Sequence, residues 1–135
     1  MDDRLSVLAR ANEAELKSFA ETLIPDLGQI EVVQSRSGLV MLPIRDTARG
    51  VAFHLGEVLV SEAHIRRGEA VGYGMRRGHD LEASMAMALI DLAMTDGVRA
   101  ADCAAFCDDQ AQMLSEGDEA VLRRVEATRV NMETF

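Results

Sequence analysis

Four side chains able to bind a metal or move a proton fall within one stretch, FHLGEVLVSEAHI: His54, Glu57, Glu62 and His64. Imidazole with carboxylate is the donor set of hydrolytic zinc sites and of general acid–base pairs. The residues between them are aliphatic and β-branched, so the stretch reads as a strand. In an uninterrupted strand His54, Glu62 and His64 share one face and Glu57 takes the other. At ~3.3 Å per residue, however, His54 and His64 stand ~33 Å apart and cannot share a metal unless the chain folds back. A bulge at Gly56 would change the parity of Glu57 against His54. The stretch holds no H-x-H pair and no H-E-x-x-H helix, and Ser61 lacks a G-x-S-x-G setting. These positions therefore read first as solvated or interface polar residues of a strand. A small stand-alone ligand-binding or metal-dependent enzyme domain with a His/Glu site is the alternative.

A second constellation lies in GYGMRRGHDLEAS, which runs from a strand through a glycine-bearing turn into a helix start. Backbone N–H groups at a helix N-terminus favour anions, and arginines nearby add charge-assisted contacts. Arg76, Arg77, Gly78 and His79 form the candidate anion site, with Asp80 as N-cap. The spacing matches neither a P-loop nor a dinucleotide fingerprint, and a turn with two solvated arginines explains the same residues. Cys103 and Cys107, in C-x3-C spacing, supply two zinc ligands at most and read as free thiols in a reducing compartment. No catalytic residue and no metal site is assigned.

The elements that must hold these residues follow from periodicity. Residues 3–24 carry a helical pattern, with a break near Asn12, which has N-cap character with Glu15, and a stop at Pro25. Residues 29–76 are strand-like. QIEVVQSRSGLVMLPIRD divides into two runs joined by a hairpin at Ser35–Gly38, and a tight turn at Gly68-Glu69 joins the next two strands. Short connections imply an antiparallel four-stranded meander. From Asp80 the pattern is helical again and apolar almost all round from Met85 to Met94, which implies burial against the sheet and against something else. Met85, Met87, Ile90 and Met94, with Glu57, are the candidate partner interface. A further helix follows Gly117, with Val121, Val125, Thr128 and Met132 on one face, and the ending RVNMETF could leave it as an extended segment. The expectation is an α+β fold with N-terminal and C-terminal helices packed mainly on one face of the sheet.

Composition narrows the function classes. A chain of 135 residues is one domain, with a formal net charge of −9 that disfavours nucleic acid. Eight methionines against a single tyrosine and no tryptophan favour an adaptable contact surface. No apolar run approaches the ~20 residues of a membrane span, and the acidic start MDDRLSVLAR is unlike a signal peptide, so a cytoplasmic location is expected.

Five stretches in order resemble the PhnG family, the G subunit of the bacterial carbon–phosphorus lyase system. RLSVLARA, SGLVMLPIRD, FHLGEVLV, GYGMRRGHDLEASMAMALIDLAM and ATRVNMETF are each similar to a family segment. Where the family has G-R-D before the long helix, this chain has Gly78-His79-Asp80, and Glu62 replaces an expected basic residue. The resemblance implies one PhnG-like domain over 1–135. It implies partners of the PhnI, PhnH, PhnJ and PhnL types, or a homo-oligomer when isolated, and no cofactor on this chain. The implied complex uses ATP as substrate, displacing adenine with an alkylphosphonate to give a ribose 1-alkylphosphonate 5-triphosphate. It implies no catalytic residue here.

Overall fold

Helix α1 (Asp3–Arg10) and helix α2 (Glu13–Leu27) are separated by the expected break at Asn12. The Asn12 side-chain oxygen accepts from the Glu15 amide at 3.0 Å, an N-cap that starts α2. Pro25 does not end this helix, which runs two residues further to Gly28, whose φ of 71° closes it. A proline so close to the C-terminus removes only one bond, and the carbonyl it orphans lies on an exposed turn. The computed structural model describes residues 3–46 and 51–133, with side chains over 4–41 and 56–127.

Strands β1 (Glu31–Asp46), β2 (Val51–Arg67) and β3 (Ala70–Arg77) form an antiparallel meander in that order. Among the described residues the sheet thus has three strands rather than the four expected. Ser35–Gly38 is not a hairpin: these residues pair in unbroken register with Ala63–Val60 of β2. On an edge strand polar residues meet solvent at no cost, so the long pairing with β2 overrides local turn chemistry. The turn at Gly68-Glu69 does join β2 to β3, with Gly68 at φ 62°. Because β3 pairs only with Val60–Arg67, the β1–β2 pair continues past Val60 as a two-stranded ribbon, roughly 25 Å long at ~3.3 Å per residue.

Helix α3 (Leu81–Thr95) lies across β3 and β2, and α1, α2 and α4 (Ala100–Glu133) pack around it. Most of its apolar perimeter is therefore covered by this chain's own elements, while Leu81, Met85 and Met94 stay partly exposed. Ile90 and Leu92 are fully buried, and Met87 is 2 % exposed. The approach to β3 is close enough to require glycine. A Cβ on Gly74 would stand 2.1 Å from the Ser84 carbonyl oxygen, and one on Gly72 2.4 Å from that of Ala88. These glycines serve helix–strand packing, not a ligand turn.

Helix α4 is one helix from Ala100 through Gly117 to Glu133, where a separate helix after Gly117 was expected. A single glycine costs a helix only ~1 kcal/mol, which its neighbours absorb. The helix also takes in most of RVNMETF instead of releasing an extended segment, and Thr134 and Phe135 lie outside the described residues. Its Cys103 and Cys107 face the core, whereas Val121, Leu122 and Val125 are 48 %, 66 % and 56 % exposed.

Candidate functional site

Alternation along the strands divides the sheet into two faces. Ser61, Ala63 and Ile65 of β2, with Gly72, Gly74 and Arg76 of β3, are buried under the helices. Their neighbours of opposite parity face away: Val58, Val60, Glu62 and His64, flanked by Gln34, Arg36 and Val40 on β1 and by Tyr73, Met75 and Arg77 on β3. This second, open face carries most of the candidate polar residues.

One half of it is a polar cluster. The Tyr73 hydroxyl donates to Glu62 at 2.8 Å, and Arg36 Nε donates to the other Glu62 oxygen at 3.3 Å. His64 meets the Tyr73 ring edge-on at 6.4 Å between centroids. Burial, reinforced by the Glu62 carboxylate, pushes the Tyr73 phenol up to about 12. Tyr73 is thus a neutral donor that holds Glu62 in place, and Arg36 balances the carboxylate's charge. Among the described residues no group of three His, Cys, Asp or Glu converges as a metal site.

The other half is a cleft of about 770 Å³ floored by Val40, Val58, Val60 and Met75 and walled by Ala9 of α1 and Leu114 of α4. Arg10, Arg76 and Arg77 also line it, with no carboxylate among the described residues of the lining. Arg10 is bridged to Asp118 at 3.1 Å, whereas Arg77 is exposed and pairs with no carboxylate among the described residues.

The expected sites are rearranged by this geometry. His54 lies opposite Ile44 in the ribbon, and its side chain is outside the described residues. The register runs evenly from Gln34↔His64 to Arg45↔Phe53, so nothing brings the two histidines together. The register shifts fall at Val33 on β1 and between Arg45 and Asp46 opposite Phe53 and Val51, not at Gly56 on β2. Glu57 is exposed opposite Met41, on the parity opposite to Glu62 and His64.

Arg76 and Arg77 do not act together either. Adjacent strand residues point to opposite faces, a signal already present in the sequence. Arg76 turns inward, only 8 % exposed, and its guanidinium donates to the carbonyls of Leu8 and, at 2.8 Å, Ala11. It caps the end of α1 rather than a bound anion. The start of α3 is likewise taken. Asp80 accepts from the Ala83 amide at 3.1 Å and is bridged by Lys17 at 2.7 Å. The Lys17 hydrogen bond and then the Ala83 amide hold the Asp80 carboxyl below its usual range. Gly78 takes a φ of 94° and His79 is exposed, so of the four proposed anion ligands Arg77 and His79 face solvent.

Of the candidate interface residues, Met87 and Ile90 belong to the core, while Met85 and Met94 are half-buried. Burial pushes the Cys103 thiol up to about 11 and raises that of Cys107. One pairing escaped notice in the sequence: Arg4 bridges Asp91 at 2.7 Å, and the other Asp91 oxygen accepts from the Tyr73 amide at 3.0 Å. A lone acid inside an apolar helix was the available clue.

A family model described as phosphonate metabolism protein PhnG matches residues 2–135, and the chain belongs to this family. It is also 32 % identical over 134 residues to a protein of Rhizobium meliloti (strain 1021), covering 97 % of this chain and 85 % of that protein. That relative is described as the alpha-D-ribose 1-methylphosphonate 5-triphosphate synthase subunit PhnG.

Proposed function

We propose that this chain is the PhnG-type, non-catalytic subunit of a synthase that joins an alkylphosphonate to the ribose C1 of ATP. An oxygen of the phosphonate forms the new bond to C1 as the bond to adenine breaks, and adenine leaves. The observation that carries this is the family match along essentially the whole chain, together with the similar synthase subunit. A role in assembly agrees with the ribbon and the second half of α4, both of which leave the domain with apolar side chains exposed. Leu39 and Met41 are 63 % and 57 % exposed on the ribbon. The partners proposed are the I-, H-, J- and L-type subunits, with ATP consumed by the assembly.

The test is reconstitution. Purified I-, H- and L-type subunits are mixed with ATP and methylphosphonate, and adenine release is followed with and without this chain. Release that depends on the chain, with none from the chain by itself, is the expected result. Equal release in its absence, or independent elution of every subunit from size exclusion, would remove the proposal.

A further inference from the structure

The cleft on the open sheet face combines three properties that point to one kind of occupant. Its floor is aliphatic, with Val40, Val58, Val60 and Met75 half-buried between Ala9 of α1 and Leu114 of α4. A sheet face of this composition is normally covered by a packed element. Among the described residues its lining holds arginines and no carboxylate, in a chain whose net charge is −9. It also lies where β1, β2 and β3 meet α1 and Leu114 of α4, at the junction of the sheet with the helices.

We infer that this cleft receives an amphipathic segment of a partner subunit whose apolar side lies on Val40, Val58, Val60 and Met75 and whose carboxylates meet Arg77. The cation count argues against a small polyanion as occupant. Arg76 is committed to the α1 carbonyls and Arg10 to Asp118, which leaves Arg77 as the one arginine of the lining without a carboxylate or carbonyl partner among the described residues. One guanidinium does not replace the converging donors a triphosphate requires, but it suffices to orient an acidic flank. The floor supplies contact area to a peptide and nothing to a phosphate.

This inference rests on the subunit role proposed above, and its test separates the two. The full chain is co-expressed with its I- and H-type partners as wild type, Arg77→Glu, Arg77→Lys and Val58→Asp. A further variant, Asp109→Lys, lies in the acidic groove between α2 and α4 and serves as control. Circular dichroism of each chain verifies folding. Arg77→Glu is expected to weaken partner binding at least ~10-fold at low salt, with a smaller loss at high salt. Arg77→Lys retains most of the affinity and Asp109→Lys all of it. A photo-cross-linker at position 58 should map to a partner segment bearing Asp or Glu.

If the wild-type complex forms while Arg77→Glu and Val58→Asp bind normally and no cross-link appears, the cleft is not the docking site and the subunit role stands. If no complex forms in any case, the subunit role fails and this inference with it. Saturable binding of ATP or methylphosphonate to the isolated chain, lost in Arg77→Glu, would reassign the cleft to a small anion and overturn the proposal.

Discussion

Along the outer edge of β3 the backbone is already met by the rest of the chain: Asp91 accepts from the Tyr73 amide, and α1 lies against the strand with Arg76 capping its end. Along the outer edge of β1, over 16 residues, no further strand pairs among the described residues, and Val32 and Val33 are 55 % and 51 % exposed. An unpaired edge invites pairing, and the bulge at Val33 and Pro43 within β1 are features that blunt such edges. The contrast separates a half of the molecule packed against its own elements from a half that leaves apolar side chains exposed among the described residues.

Substitutions on the two halves should therefore behave differently. The largest difference is expected between Ile90→Ala, in the core, and Leu39→Ala, on the ribbon. The first should cost about 2–5 kcal/mol in urea unfolding and the second close to nothing. Comparable losses would mean that the ribbon is packed in the free protein and would erase the distinction. Next come the glycines. Gly74→Ala drives a methyl into the backbone of α3 and should cost about 1–3 kcal/mol, whereas Gly38→Ala has open space and should be neutral or slightly stabilising. Thermal melts of the two variants side by side decide it.

A third comparison tests the guarded edge itself. Asp91→Ala leaves Arg4 and the Tyr73 amide without their partner and is expected to cost about 1–3 kcal/mol. In the wild type, hydrogen exchange at Tyr73 should be slow while the outward amides of β1 exchange quickly. Protection along β1 in the isolated chain would show that its edge is already occupied.

The smallest effect concerns the start of α3. Asp80 is held below the ordinary carboxylate value of 3.8, so its contribution to stability is complete above that pH and is lost as the pH falls through its folded-state pKa. Asp80→Asn keeps the cap but removes this charge, so its acid unfolding limb should be shallower. Asp80→Ala should cost a further ~1 kcal/mol at neutral pH by losing the cap. Identical acid limbs would show that the Lys17 pair is inert.

Much of the architecture could be read from sequence because it is local. The break at Asn12, the turn at Gly68-Glu69 and the Asp80 cap each depend on a few adjacent residues, and each is found in place. The extra strand failed because Ser35–Gly38 has turn chemistry yet is held straight by a partner strand some 25 residues away. Apolar periodicity likewise marked Met85–Met94 as buried against the sheet and against something else, but not whether that second neighbour belonged to this chain. The site was legible only in part. Strand parity separates Arg76 from Arg77, while the meeting of Arg77 with the aliphatic floor and with α4 is a product of tertiary folding.

Cys103 and Cys107 give the fold a built-in clock. Cys103 is fully buried on α4 and Cys107, one turn on, is 9 % exposed, both with ionisation suppressed, so a thiol reagent reaches Cys103 through an opening of that helix. The Cys103 alkylation rate therefore reports how often α4 opens. A partner that clasps its outer half should slow the clock from a distance, without touching either sulfur.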